Sequence, residues 1–346
     1  MKLLIDLSIL RHPFCGLGQL AIGYGEWYAN HPESIPDGVE LTLLVPKEWA
    51  GRFGDKVHYL VQHDAYRIMP WLMPRFDVWH SMHQLSPFRP GSRSTRRIVT
   101  IHDVNFIYEK HGAKQQRYTR RLQRECDSAT ALCFISRFAQ EDAGRHIDCK
   151  DKPQHVIYNG VGDITAGDLS PVPSVADGKP FLLSIGVVKE KKNLHCLLPM
   201  MDLLPDYRLV IAGDDSGPYA DILRQLLPQH PNVSMLGIVD DAERRWLYAN
   251  CTALLFPSLS EGFGLPVIEA MQWGKPVFCS KRTSLPEIGF THASYFDTFE
   301  PESMASTIAA GLTVFNDEAA AAEQKYAAAY SFENHMRWYW ELYLTV

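Results

Sequence analysis

A doubly wound α/β architecture in two similar domains is what this sequence predicts, and three observations carry it. The chain has 346 residues, 46% of them hydrophobic and 21% charged, an ordinary globular composition on a chain too long for one small core. Short apolar runs of strand length alternate with helix-length stretches along nearly all of it, the pattern of parallel sheets covered by helices. The rhythm breaks over 163–178, where Gly, Pro, Asp and Ser crowd together without an apolar period. A linker there divides the chain into 1–165 and 166–330, with a last helix, 331–346, assigned to the first domain.

In the first domain Leu3 to Leu7, Leu41 to Val45, Val78 to Ser81, Arg97 to Ile101, Ala131 to Ile135 and His155 to Tyr158 read as the strands of one sheet. After the linker, Phe181 to Ile185, Arg208 to Ala212, Val233 to Leu236, Ala253 to Phe256, Pro276 to Cys279 and Ser294 to Phe296 make a second. The alanine-rich stretch Ala319 to Ala329 is a helix by propensity. Ser331 is an available N-cap for a final helix that sets Phe332, Met336, Tyr339, Trp340 and Tyr343 at helical spacing, so it should dock by its aromatic face. Ligands of such open sheets bind beyond the carboxyl ends of the strands. A cleft shared by the two domains is therefore the expected site.

Composition closes several other routes. No stretch approaches the roughly 18 consecutive apolar residues of a membrane-spanning helix. The opening Met1-Lys2-Leu3-Leu4-Ile5-Asp6 puts a carboxylate where a signal peptide needs an apolar core, which predicts a cytoplasmic chain. The seven cysteines are scattered, with no C-x-x-C pair, and read as core fillers. Net charge is −6, which argues against nucleic acid, but it divides unevenly: residues 1–165 carry 21 Lys and Arg against 18 Asp and Glu, residues 166–346 carry 13 against 22. Residues 110–124 hold six Lys or Arg and no acid, with Arg93, Arg96 and Arg97 upstream. That stretch is either a solvated helix face or a contact for an anionic membrane or lipid-linked acceptor.

The chemistry-bearing segments follow strands. Gly16-Leu17-Gly18 follows the first and lets backbone amides approach an anion. It is no dinucleotide fingerprint, because the third glycine is misplaced and the second strand ends in Leu44-Val45-Pro46 without the acid that would hold a ribose. The strongest signal is Ser260-Glu261-Gly262-Phe263-Gly264-Leu265-Pro266-Val267-Ile268-Glu269, after the strand Ala253 to Phe256 and opening a helix. Its two carboxylates flank glycines that free amides at a helix start for phosphate or sugar hydroxyls. No Asp-x-Asp occurs, Asp214-Asp215 and Asp240-Asp241 fall at strand-end turns, and His80, His83 and His102 lack zinc spacing. His80 and His83 read either as lining of the cleft or as core and capping groups.

At these residues the sequence resembles the family 4 retaining glycosyltransferases of GT-B fold, whose signature of two glutamates separated by seven residues matches Glu261 and Glu269. The matches run along the chain: Gly16-Leu17-Gly18, Ile101-His102-Asp103, Ser136-Arg137-Phe138, Asn159-Gly160-Val161, Lys191-Lys192-Asn193 after Gly186, Ala212-Gly213, Leu236-Gly237-Ile238 and Ser284-Leu285-Pro286-Glu287. The resemblance implies two Rossmann-like domains facing a cleft, the first binding acceptor, the second nucleotide sugar, with the C-terminal helix packing back on the N-terminal domain.

It also implies roles. Lys192 neutralises the donor diphosphate, Glu269 bonds the ribose, and the backbone at Gly237 and Ile238 reads the base. Glu261, with the amides of Phe263, Gly264 and Leu265, holds the donor sugar, His102 touches its far edge, and Gly16 and Gly18, as donor-binding residues, let the first domain's loop approach the phosphates and the acceptor. An arginine common in the family is Val187 here; Lys189 or Lys191 could substitute, and Lys191 is the candidate, with a solvated surface charge as the alternative. The implied activity is a retaining hexosyltransferase that needs no metal or other cofactor. Mannose from GDP-mannose is the favoured donor, and a surface glycan, lipopolysaccharide or lipid-linked acceptor the partner, met at the inner face of the cytoplasmic membrane. A UDP-sugar donor, or a catalytically weak binding protein suggested by Val187, are the alternatives.

Overall fold

The computed structural model describes residues 1–13, 15–149 and 151–346. It divides into two compact units, Met1–Gly160 with Phe332–Val346, and Val161–Ser331. The break thus falls after Gly160, and the polar segment 163–178 belongs to the second unit as a fastened strap. Ile164 N–H donates to the Gln272 side chain at 3.1 Å, and Val172 and Val175 are buried. Polar composition alone hides such anchors, because two valines and one backbone amide suffice to pin a short strap.

The first unit holds a parallel sheet of β1 (Lys2–Asp6), β2 (Glu40–Val45), β3 (His58–Val61), β4 (Val78–Ser81), β5 (Arg96–Ile101), β6 (Ala131–Phe134) and β7 (Gln154–Val156), in the order β3-β2-β1-β4-β5-β6-β7. Leu3 lies opposite Leu41 on one side and Val78 on the other, so the central strands read as continuous apolar runs, as strands covered on both faces must. The helix Phe332–Thr345 docks here: Met336, Tyr339 and Tyr343 join Leu3, Ile5, Leu43, Val78 and Ile98 in one core. His80 belongs to that core and lines no cleft. Its Nδ1 is 2.6 Å from Tyr343 Oη, its Nε2 2.8 Å from Thr100 Oγ1, and its ring stacks on Tyr339. Burial pushes its pKa well below the ordinary histidine value, so it is a neutral packing residue satisfied at both nitrogens.

The second unit holds β8 (Phe181–Ile185), β9 (Arg208–Ala212), β10 (Val233–Gly237), β11 (Ala253–Phe256), β12 (Val277–Ser280) and β13 (Ser294–Phe296), again all parallel, in the order β10-β9-β8-β11-β12-β13. Both sheets reverse strand order once, between β1 and β4 and between β8 and β11. These reversals are the switch points where open sheets bind ligands. The helix Leu265–Gln272, which follows β11, is backed by the helix Asp317–Ala327. All seven cysteines are free thiols, six of them buried. Among the described residues no helix is long and apolar enough to cross a membrane.

Candidate active site

At the switch point of the second unit the strand ends are knit by glycines. Gly186, Gly213 and Gly237 follow or end β8, β9 and β10 with φ of 134°, 131° and 74°, values that a residue with a Cβ rarely adopts. Gly186 N–H donates to Ala212 O at 2.9 Å and Gly213 N–H to Gly237 O at 2.7 Å. A Cβ on Gly213 would lie 2.1 Å from Gly186 O, so glycine is required for this approach. Beside them a small recess is lined by Ser184, Ile185, Gly186, Lys192, Leu194, Phe256 and Pro257.

Lys192 reaches the recess because of the turn that carries it. Glu190–Lys192 form a single 3-10 turn, and Asn193, in the left-handed conformation at φ 57°, folds the chain back so that Leu194 and Cys196 bury. The Lys192 ammonium sits 4.5 Å from the centroid of the Phe256 ring and 2.7 Å from Glu261 Oε1. Lys191 fastens the same turn through its carbonyl, which accepts from Leu259 N–H at 2.7 Å and Ser258 Oγ at 3.1 Å.

Glu261 is held from several sides. Ser258 Oγ lies 2.5 Å from Oε1, the Glu261 amide donates to Thr283 Oγ1 at 2.9 Å, and Ser284 Oγ donates to the carbonyls of Glu261 and Phe263. Burial pushes the Glu261 carboxyl up, but the charges of Lys192 and Lys191 and the hydrogen bonds from Lys192 and Ser258 outweigh it and hold the pKa below the ordinary value. The result is a preorganised, ionised carboxylate against a cation. Ser258, Thr283 and Ser284 escaped the sequence reading as site residues. Thr283 has φ 53°, a conformation that no local pattern announces.

The rest of the acidic signature divides in two. Gly264 takes φ 109°, and a Cβ there would meet Leu285 Cδ2 at 2.8 Å; it precedes the helix Leu265–Gln272, whose first turn has no side-chain cap. Phe263 is buried edge-on against Tyr330, so its ring packs the loop. Glu269 is engaged by Tyr248 Oη at 2.6 Å and Arg244 Nη1 at 3.3 Å. Arg244 and Tyr248 were not read from the sequence, since both sit in an ordinary amphipathic helix, Asp241–Asn250. Ile238, just past β10, is largely exposed.

His102, Gly16 and Gly18 belong to the first unit. His102 follows β5 directly, with Nε2 2.7 Å from Met82 O, so Nε2 carries the proton and Nδ1 keeps its lone pair. Burial pulls its pKa down to about 3, so its imidazole is neutral. Gly16 opens the helix Gly16–Asn30, capped by Cys15 Sγ accepting from Gly18 N–H. Gly18 has an internal use: a Cβ there would stand 2.2 Å from His12 O, so its missing side chain admits the chain's own loop. His83 is held near a pKa of about 4 by burial and by Arg121. Asp6, unremarked in sequence, ends β1 and pins the switch-point loops by accepting from Ser8 N–H and Ser86 Oγ.

The basic stretch is thinner than its sequence. Arg121 donates to Leu85 O and Ser86 O, Arg97 is buried in an ion pair with Glu125 at 2.8 Å, and Arg96 ties to the Val346 carbonyl. Lys114, Arg117, Arg120 and Arg124 remain exposed on the helix Gly112–Asp127. Among the described residues no three His, Cys, Asp or Glu side chains stand together as metal ligands would.

Residues 168–342 match the family of glycosyl transferases group 1, and residues 30–163 match Glycosyltransferase Family 4. O-antigen chain mannosyltransferase B of Escherichia coli is 28% identical over 331 residues, covering 83% of this chain and 84% of that one. O-antigen chain mannosyltransferase RfbU of Salmonella typhimurium is 27% identical over 243 residues, 69% and 66% of the two chains. Among solved structures, sucrose-phosphate synthase from Thermosynechococcus elongatus superposes with a TM-score of 0.74 at 15% identity, over 99% of this chain and 98% of that one. Anabaena HepE in complex with UDP-glucose does so with a TM-score of 0.74 at 17% identity over the whole of both. These structural likenesses are of fold, and the fold class they share is GT-B.

Proposed function

This chain belongs to the group 1 glycosyl transferases and is a glycosyltransferase, and we propose that it moves mannose from GDP-mannose, with retention, onto a growing surface-glycan or lipid-linked acceptor. The observation that carries the reading is the ion pair of Lys192 and Glu261 at the mouth of the second unit's switch point. A departing nucleoside diphosphate gains negative charge, and a fixed cation in a partly dry recess meets that charge at no cost in reorganisation. Lys192 fills this role, with Lys191 behind it in place of the arginine that Val187 lacks. Glu261, ionised and clamped, accepts hydrogen bonds from the donor sugar's hydroxyls beside the amides of Phe263, Gly264 and Leu265. In the first unit, His102 offers Nδ1 as an acceptor for a sugar hydroxyl.

Glu269 takes the ribose hydroxyls while Tyr248 and Arg244 hold it, and the backbone at Gly237 and Ile238 borders the base. The acceptor's proton goes to the departing phosphate, so no protein nucleophile is needed. No metal or other cofactor is required, because lysine and backbone amides supply the positive field. The names of the mannosyltransferase relatives support the donor sugar and the glycan acceptor. A UDP-sugar is the second reading, favoured by the neighbour solved with UDP-glucose.

Purified protein offered GDP-mannose and UDP-glucose in parallel tests both readings. Release of GDP with thermal stabilisation by GDP is expected, a ligand at 100 times its Kd adding about 2.7 kcal/mol. Stabilisation by UDP alone transfers the donor assignment, and stabilisation without turnover favours a binding protein. The same assay in excess EDTA should keep its rate; loss restored by Mg2+ or Mn2+ breaks the phosphate-site assignment.

A further inference from the structure

Between β3 and β4 the chain makes an excursion that the transfer chemistry does not use. The helix Asp64–Ile68 and the single turn Pro70–Leu72 leave Ile68, Trp71 and Leu72 exposed by 75%, 67% and 52%. Single exposed apolar residues need no explanation, but three within five residues form a patch. The turn is rooted: Met73 and Phe76 just beyond it are buried with Leu4, Leu44, Trp79 and Phe88, and Tyr66 packs on the same cluster. Its other side is braced by the loop at Gly91, where a Cβ would fall 2.2 Å from Pro70 O. The three side chains are therefore held out by a firm base.

The surroundings are cationic. Arg67, Arg75 and Arg93 are exposed around the turn, and residues 85–95 contain no acid. Of the excursion's two acids, Asp64 is matched by Arg67 at 3.1 Å and Asp77, at its far end, accepts from Lys2 N–H at 2.7 Å, which leaves Arg75 and Arg93 beside the turn. Arg89 of the bracing loop bonds Glu125 at 2.9 Å, which joins the loop to the helix Gly112–Asp127 and its exposed Lys114, Arg117, Arg120 and Arg124. An apolar tip with a tryptophan inside a collar of cations matches a bilayer surface of anionic lipid, where the ring sits at the headgroup level and the cations meet phosphates. A symmetric contact between two copies would press like-charged collars together.

We propose that Ile68, Trp71 and Leu72 insert into an anionic membrane surface and that the exposed cations of Gly112–Asp127 lie along it, so that apolar insertion anchors a contact that charge only steers. The inference extends the reading of a lipid-linked acceptor, and vesicle binding is read without turnover, so either can fail alone.

The test is sedimentation of the full chain with phosphatidylcholine vesicles, with and without phosphatidylglycerol, together with quenching of tryptophan emission by brominated acyl chains. Wild type should sediment with the anionic vesicles and be quenched, and Trp71→Phe should lose most of that quenching. The combined variant Ile68→Ser, Trp71→Ser, Leu72→Ser, all exposed positions, should bind about tenfold more weakly or worse while its thermal unfolding and GDP binding stay unchanged. Lys114→Gln, Arg117→Gln, Arg120→Gln, Arg124→Gln together should weaken binding mainly at low salt and leave the quenching of bound protein. The proposal is overturned if wild type ignores anionic vesicles at low salt, or if the apolar variant binds as wild type does. It is equally overturned if wild type is a dimer that the apolar variant converts to monomer without any vesicle binding, which assigns the patch to a second copy.

Discussion

Lys192 and Glu261 share one ion pair with 15% and 12% of their side chains exposed, so neither residue can be changed without altering the other. Replacing Lys192 by Ala strips the cation from a carboxyl that burial already pushes toward protonation. Turnover should fall on the order of a hundredfold or more. The acid limb of kcat/KM should also move to higher pH, since a carboxylate whose pKa is lowered in the native site loses its function as pH falls through that pKa. Glu261→Gln should cost about as much and abolish that limb. A Lys192→Ala profile that keeps the wild-type acid limb sinks the coupling. Glu269 separates two roles. Its loss leaves the buried Tyr248 hydroxyl without its partner, which costs about 1–3 kcal/mol of stability, and on the ribose reading it also weakens GDP binding. Tyr248→Phe should lower stability and spare GDP affinity; equal GDP affinity in Glu269→Ala and wild type contradicts the ribose contact.

Elements were legible where apolar runs are long and buried on both faces. Phe181–Ile185 is buried at every position and stands out from any window, whereas β3 was missed because His58–Val61 is an edge strand of four residues with none fully buried. The acidic signature placed Glu261 and Glu269 in the loop and helix after β11, yet the hydroxyls that clamp Glu261 come from residues 258, 283 and 284, and convergence from separate strand ends leaves no local pattern. In the basic run 110–124, charge in sequence does not say which arginine turns inward: Arg121 does, to Leu85 O and Ser86 O. The helix Asp317–Ala327 hides a cost of its own. Glu323 is 3% exposed and its Oε2 has no hydrogen-bond partner among the described residues. Burial lifts its pKa to about 9, against an unfolded value of about 4.3. Between those values the native state holds a proton that the unfolded chain releases, so stability should fall as pH rises, by about 1.4 kcal/mol per unit at most. Glu323→Gln should remove that slope, raising the melting temperature at pH 8 relative to wild type and leaving it little changed at pH 4. Parallel melting curves across that range contradict a neutral Glu323.

For the molecule as a whole, the second unit is an insertion in the first: the chain enters it at Val161 and leaves at Ser331. Its two ends are joined, Val161 N–H donating to Tyr330 O at 2.8 Å and Val161 pairing with Ser331 in an isolated parallel bridge. The sequence suggested two domains from a change of rhythm, but that rhythm lies past the crossing, because what marks the boundary is a single backbone pairing. Each unit should therefore answer differently to excision. Residues 161–331 carry their own sheet, their own core and the lysines, Glu269 and strand-end backbone that grip the nucleotide, so the excised segment should fold and bind GDP within about tenfold of the full chain. The first unit depends on a distant segment, since Tyr339 and Tyr343 fill its core and bond Thr100 and His80 at 2.8 Å and 2.6 Å. Removing 332–346 deletes several buried aromatics, each worth about 3–5 kcal/mol on truncation, and leaves buried polar groups without partners. That loss approaches the whole stability of an ordinary domain, so the truncated chain should show an unfolded first unit beside a folded, GDP-binding second one in hydrogen exchange. Protection of β1 and β4 amides in the truncated chain, or failure of 161–331 to bind GDP where the full chain does, contradicts this division.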